Sequence, residues 1–365
     1  MENEGLYAIA LTLVPGIGPV LAKNLISYCG GPQAVFEEKA SRLIKIPGIG
    51  ETLALAIKES DHLHEAEKEL EFIHAKNIQL ITYYHESYPM RLKQVDDSPT
   101  LLYYKGDQDL NHHRTVAIVG TRTPTERGIM NCEKLVEDLA PFDVQVISGL
   151  AYGIDSTAHS SSVQNGIATI GIPGHGLDRI YPAKNKKLLQ KMLEHGGILS
   201  QFPSGTKPDR ENFPMRNKLI AAMADVVVVI ESKRSGGSMI TATFANEYFK
   251  DVFAFPGRIQ DENAEGCNKL IKEHRAHLLE SAKDLSYIMR WEELDSNKVI
   301  QPSLFVELDE DESKIHTLIK KMEKCDIDYL SHVSKIRGSH LASILLNLEF
   351  KGLIKALPGK KFSLR

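Results

Sequence analysis

The chain has 365 residues, enough at roughly 150 per domain for two or three domains with cores of their own. Its 44 Lys and Arg against 48 Asp and Glu leave a net charge of -4, and 42% hydrophobic with 25% charged residues is ordinary for a globular protein. Wholesale disorder and a uniformly basic nucleic-acid coat are excluded; a local positive cleft, cancelled by acidic segments elsewhere, is not.

Cys29, Cys132, Cys267 and Cys325 lie far apart, with no CxxC and no His at ligand spacing. Neither a zinc knuckle nor a disulfide framework is expected, and the reading is a reducing cytoplasm. The chain opens on Glu2 and Glu4 rather than a basic segment, and its first apolar stretch, residues 6–14, is broken at Pro15. No other uncharged apolar run reaches about 18 residues, so no membrane partner is expected.

In chain order, residues 1–75 read as a helical domain with a near-repeat. Val14-Pro15-Gly16-Ile17-Gly18 and Ile46-Pro47-Gly48-Ile49-Gly50 each open an amphipathic helix. Glycine permits positive φ in such turns and leaves backbone N–H groups at a helix start, where one DNA phosphate fits. This is the helix-hairpin-helix (SAM-like) signature. Packing alone is the alternative, and nearby cations are few: Lys23, Arg42, Lys45 and Lys58. A helix follows over 60–75, then an apolar run over 78–84. The polar loop 107–113 is placed as a boundary before a new rhythm.

From Thr115 onward, apolar runs alternate with helical stretches at intervals of about 25 to 30 residues, within an extended domain over 76–300 whose core is 113–290. Strands are expected at 116–119, 144–147, 168–172, 197–199, 226–230 and 252–255. Runs without strict alternation indicate parallel strands buried on both faces. The fold class is therefore α/β, with a doubly wound, mostly parallel Rossmann-like sheet. Ligands of such sheets bind beyond the carboxyl ends of the strands. The loops there are rich in small residues: Gly120-Thr121-Arg122, the stretch from Ser148 through Gly149 to Gly153, Pro173-Gly174-His175-Gly176, and Ser235-Gly236-Gly237-Ser238.

An acidic linker is placed over 301–312. Beyond it, helices over 313–322, 327–336 and 339–348 and a hairpin over 354–364 turning at 358–360 make a winged helix over 313–365. This unit carries eleven Lys or Arg against Glu323, Asp326, Asp328 and Glu349, a net +7. DNA contact, protein contact and a merely solvated face all remain open for it.

Several chemistries are argued against. The first strand of the core has no G-x-G-x-x-G after it, no Walker A string is present, and no G-x-S-x-G nucleophile elbow occurs. No cofactor is expected. The nearest enzyme reading is the lysine-decarboxylase-like phosphoribohydrolases, whose loop P-G-G-x-G-T-x-x-E corresponds to residues 235–243. Thr243 stands where that loop needs its glutamate, which argues for a binding protein rather than an enzyme. Asp155 and His159 share helical spacing but read as a loop-fixing pair, and His112-His113 as part of a solvated loop.

The strings Val119-Gly120-Thr121-Arg122, Ser148 to Asp155 with Ala158-His159, Tyr181-Pro182 with Asn185, Phe213-Pro214-Met215-Arg216-Asn217, Ser235 to Ser238 with Thr241-Ala242, and Phe255-Pro256-Gly257 resemble the DNA processing protein A (DprA/Smf) family. The resemblance implies a protein that binds single-stranded DNA, forms a homodimer, protects incoming DNA during natural transformation and loads a RecA-type recombinase. Its implied DNA site comprises Gly120, Thr121, Arg122, Gly149, Arg210, Phe213, Arg216, Asn217, Ser235, Gly236 and Gly237. Lys is frequent in the family at position 210 and Arg at 218, so Arg210 and Lys218 are charge-preserving departures. Arginines and loop amides suit phosphates, and Phe213 offers a base a stacking face. The structural alternatives are an ion-pairing Arg122, a core Phe213 and an Arg216 that caps a strand end. By the same analogy, dimer and recombinase contacts are placed around residues 267–289.

Overall fold

A computed structural model describes residues 2–59, 61–292, 308–322, 324–351, 353–357 and 361–364. The chain divides into two compact units, Met1–Leu294 and Asp295–Arg365.

The first unit begins with helices α1 (Glu2–Leu13), α2 (Pro19–Cys29), α3 (Pro32–Glu37), α4 (Ala40–Leu43), α5 (Glu51–Ile57) and α6 (Asp61–Ala75). Gly16 and Gly48 have φ of 81° and 85°, and Gly18 and Gly50 cap α2 and α5. The two turns pack reciprocally. A Cβ on Gly16 would lie 3.0 Å from Leu53, and one on Gly48 would lie 2.8 Å from Leu21. Leu25, Val35, Leu43 and Ile57 fill the core between them.

The sheet strands are β1 (Gln79–Thr82), β2 (Leu101–Gly106), β3 (Thr115–Val119), β4 (Gln145–Ser148), β5 (Thr169–Gly171), β6 (Gly196–Ser200), β7 (Val226–Val229), β8 (Asp251–Ala254) and β9 (His277–Leu278). They form one sheet in the order β1-β2-β6-β5-β4-β3-β7-β8-β9. From β6 to β9 every pairing is parallel, while β1 with β2 and β2 with β6 are antiparallel. The intervening helices are α7 (Met90–Lys93), α8 (Glu126–Leu139), α9 (Ile154–Gln164), α10 (Lys186–Met192), α11 (Asn212–Met223), α12 (Gly237–Glu247), α13 (Glu265–Lys272) and α14 (Ala282–Met289). Both faces are covered: Val116 and Ile118 point into one apolar cluster, Ala117 and Val119 into the other. This is the doubly wound α/β sheet expected. Its strand order reverses between β3 and β7, so the loops after those strands flank the crevice.

The loop at 107–113 is not a boundary. β2, which the sequence reading left unassigned, pairs with β6 through Tyr103↔Ser200 to Gly106↔Gly197. Arg91 beside it holds Asp225 at the start of β7 with two bonds, 2.8 and 2.6 Å. The preceding segment is an antiparallel extension of the same sheet.

The second unit has helices α15 (Glu310–Met322), α16 (Ile327–Ser334) and α17 (Gly338–Phe350) with strands β10 (Lys324–Asp326), β11 (Ile354–Leu357) and β12 (Lys361–Leu364), paired antiparallel in the order β10-β12-β11. The short strand β10 is additional to the expected hairpin, whose tip at 358–360 lies outside the described residues. Residues 309–312, placed in the linker, are helical start instead. Asp309 Oδ1 accepts from Glu312 N–H at 2.7 Å, and Glu312 Oε2 accepts from Asp309 N–H at 3.2 Å. Acidic residues are favoured there by the helix dipole. The rest of the expected linker, 301–307, lies outside the described residues. No described helix is long and apolar enough to cross a membrane. All four cysteines are free.

Candidate nucleic-acid interface

The carboxyl ends of β3, β4 and β7 and the starts of α9, α11 and α12 enclose a cleft of about 1570 Å³, partly open to solvent. Ten of the eleven expected residues line it: Gly120, Thr121, Arg122, Arg210, Phe213, Arg216, Asn217, Ser235, Gly236 and Gly237. Gly149 lines a smaller neighbouring pocket that shares Arg122, Phe213 and Arg216 with the cleft. Residues up to 117 positions apart in sequence, Gly120 to Gly237, are brought together by the crossover from β6 to β7.

The arginines differ in availability. Arg122 and Arg210 are exposed, and Arg210 makes no hydrogen bond or ion pair among the described residues. The Arg122 guanidinium lies 5.0 Å from the centroid of the half-buried Phe213 ring. Such a contact holds the ring in place while leaving the N–H fork for an anion. Arg216, by contrast, is only 5% exposed. Its Nη1 donates to the carbonyls of Gly149 and Ile172, the latter at 3.0 Å, and stands 3.9 Å from Asp155 Oδ2. Gly149 is required because a Cβ there would lie 1.6 Å from that nitrogen. Arg216 therefore ties the ends of β4 and β5 together. The strand-end alternative describes its Nη1, although its ring-facing side, 5.8 Å from Phe213, still borders the cleft.

Asn217 donates to Gly237 O at 3.2 Å and fixes α11 to the start of α12. No side chain caps α12, so its first N–H groups are presented beside Ser235 and Gly236. Lys233, absent from the expected set, lines the same wall and pairs with Glu262. Its signal in the sequence was the Lys233-Arg234 pair just after β7. The lining thus holds four cationic side chains and one carboxylate, Asp155. The cleft is strongly positive in a chain of net charge -4. Lys218 faces a different pocket, its Nζ 2.7 Å from Asp97 Oδ2.

Two enzyme-like features resolve into structural ones. Burial raises the Asp155 carboxyl above its usual range, opposed by Arg216, while Ala151 N–H donates to it at 3.3 Å. Burial pushes His159 down to about 3, leaving a neutral imidazole whose Nδ1 meets Thr169 Oγ1 at 2.7 Å. No ion pair among the described residues joins Asp155 to His159. Thr243 spends its hydroxyl on Met239 O, 2.9 Å away within α12. At the start of α8, where a dinucleotide fold holds pyrophosphate, the Glu231 carboxylate already accepts from Thr125 N–H at 2.9 Å and from its hydroxyl. A phosphate there would meet a resident anion.

Of the cations near the helix-hairpin-helix turns, three serve the fold. Lys23 donates to Asp96 O at 2.9 Å and Ser98 Oγ at 2.7 Å, Lys58 to Phe36 O, and Arg42 pairs with Glu38 at 3.4 Å.

The chain is similar to known proteins. The family model described as SAM-like helix-hairpin-helix tandem matches residues 8–60. Protein Smf of Synechocystis is 31% identical over 398 aligned positions, covering the whole of both chains. DNA processing protein DprA of Streptococcus pneumoniae is 40% identical over 200 positions, 55% of this chain and 70% of the relative. The X-ray structure of the Streptococcus pneumoniae protein superposes with a TM-score of 0.67 at 31% identity, covering 80% of this chain and 99% of that one. A DNA processing protein A structure from Helicobacter pylori, described for its single-stranded DNA binding mode, gives 0.53 at 29% identity over 59% of this chain and 98% of that one. The family model described as DNA recombination-mediator protein A spans residues 79–290, the whole sheet from β1 through α14, and with the end-to-end match to Smf it makes this chain a member of that family.

Proposed function

We propose that this chain binds single-stranded DNA across the rim between Arg122, Arg210 and the start of α12, and that it acts on DNA in transformation or recombination as a non-hydrolytic binding protein. The observation that carries the reading is the convergence of two exposed arginines, a ring-presenting Phe213 and an uncapped helix start on one cleft. Phosphates would meet Arg122 and Arg210, and a base would stack on Phe213, a contact worth about 1–3 kcal/mol and indifferent to base identity. Among the described residues of the cleft, the exposed arginine forks are assigned to phosphates, so little sequence preference is expected. The single-stranded DNA named for the Helicobacter pylori relative supports the same ligand.

The finer assignments belong to this reading as well. The protein works as a homodimer in the cytoplasm and loads a RecA-type recombinase on the bound strand. Within 267–289, Cys267 is buried, whereas Tyr287 is 85% exposed and Leu278 lies on the edge strand β9. The dimer or recombinase contact would be made by those two exposed groups. The second unit is read as a winged helix on its helix-strand-helix-helix-strand-strand order.

A mobility-shift titration with oligothymidylate tests the site. Arg122→Ala combined with Arg210→Ala is expected to weaken binding strongly while leaving the fold intact, and unchanged binding would overturn the assignment of this cleft.

A further inference from the structure

At the amino ends of the strands, opposite the cleft, His112 and His113 precede β3, and Asp143 precedes its parallel neighbour β4. The sequence suggested only a solvated loop for the histidine pair. In the structure one ligating atom from each of the three residues lies within 4.8 Å of the others. His112 Nε2 is 3.5 Å from Asp143 Oδ1, and His113 Nε2 is 3.6 Å from Oδ2. The two rings stack with centroids 4.7 Å apart, so both present the same atom to the same carboxylate.

These separations decide between two readings. A charge-assisted N–H···O bond between imidazolium and carboxylate closes to about 2.7–2.9 Å. Two donors on a tetrahedral ion, each about 2.0–2.2 Å from it, stand about 3.3–3.6 Å apart. Both measured N···O separations fall in that range, one to each carboxylate oxygen, which fits two imidazoles facing a carboxylate that offers an ion either oxygen. The hydrogen bonding of His112 agrees with this. Its Nδ1 lies 3.0 Å from Arg114 O and 3.4 Å from Arg114 N. Arg114 N–H donates toward Nδ1 in the longer contact, and the closer carbonyl contact is satisfied when Nδ1 carries the proton, the tautomer assigned to the ion-bound site. Nε2 then keeps its lone pair toward Asp143. A backbone carbonyl on the far nitrogen is the usual device for orienting a ligating histidine.

We propose that His112, His113 and Asp143 bind a divalent transition ion of the Zn²⁺ class, with the remaining position taken by water. Two imidazoles and one carboxylate suit such an ion and are poor ligands for Mg²⁺ or Ca²⁺. The site lies away from the DNA cleft and fastens a junction. Arg114, next in sequence, donates to Phe142 O at 2.6 Å and to Glu292 O at 2.8 Å, with its guanidinium 5.7 Å from the Trp291 ring. An ion there would stiffen the starts of β3 and β4 where the sheet domain's last described residues return.

Trp291 is the only tryptophan in the chain and supplies a local reporter. The experiment uses tag-free, EDTA-treated full-length protein, titrated calorimetrically with ZnCl2 and, in parallel, with Cu²⁺ while Trp291 fluorescence is followed. One equivalent of Zn²⁺ is expected to bind, to raise the melting temperature, and to protect Trp291 from quenching by Cu²⁺. His113→Ala and Asp143→Asn should each weaken Zn²⁺ binding by roughly tenfold or more, and His64→Ala, on α6, should not. The absence of one-equivalent binding in the unaltered chain, or unaltered affinity in either the His113 or the Asp143 variant, overturns the proposal.

Discussion

Arg216 Nη1 donates to Gly149 O, and the absence of a Cβ on Gly149 is what lets it reach. The pair joins α11 to the end of β4 beneath the cleft, with Asp155 3.9 Å away as the compensating charge. Removing a buried cation leaves its carboxylate uncompensated, which costs about 3–5 kcal/mol. Arg216→Ala should lower the unfolding free energy measured in urea by that much, whereas the exposed Arg122→Ala should change stability by less than about 0.5 kcal/mol. If both variants unfold together, Arg216 is not the latch described.

Salt dependence separates the roles at the rim. Each phosphate contact on a single strand contributes about 0.7 to the slope of log affinity against log salt concentration. Replacing both Arg122 and Arg210 by Ala should therefore reduce that slope by about 1.4. Phe213→Ala should weaken binding by about 1–3 kcal/mol with the slope unaltered, because stacking releases no counterion. Binding isotherms at several salt concentrations measure both effects on the same oligonucleotide.

The sheet core was legible because its strands are buried on both faces, which forces runs such as Val116 to Val119 and Val226 to Val229 to be continuously apolar. The cleft was legible through its loops, since small residues at strand ends mark where a backbone approaches something closely. β2 was missed although Leu101 to Tyr104 is β-prone, because it is an antiparallel strand in a chain whose rhythm was read as parallel. The difference between Arg122 and Arg216 was not readable from sequence either. Both are arginines near a strand end, and only the fold decides which one is covered by Asp155, Gly149 and Ile172. Lys23 reads as a cation beside a DNA-binding turn, yet its partners at Asp96 and Ser98 lie 73 and 75 residues away.

The tandem turns supply a test of packing without DNA. Gly48 has φ of 85°, and a Cβ there would meet Leu21 at 2.8 Å. Gly48→Ala forces a left-handed conformation worth about 1–2 kcal/mol on a residue that also collides with its neighbour. The melting temperature of Gly48→Ala should fall, and Leu21→Ala should add less in that background than it does alone, because it relieves the collision. Additive effects would mean that the two turns do not share this contact.

The buried imidazole of His159 gives the domain an acid sensitivity of defined sign. Its folded value is held near 3, well below the ordinary 6.5, because burial penalises the charged ring. The unfolded chain therefore binds a proton at this residue between those limits and the native state does not, so stability rises with pH across the window. The contribution is complete above about pH 6.5 and is lost as pH falls toward 3, at about 1.4 kcal/mol per unit. Between pH 6.5 and 4.5 the native protein should lose about 2–3 kcal/mol through His159 alone. His159→Gln retains a polar partner for Thr169 and carries no titrating group, so the difference in stability between it and the unaltered protein should shrink by that amount on acidification. Urea titrations at the two pH values measure the difference, and parallel curves for the two proteins would show that His159 is not the buried group that titrates on unfolding.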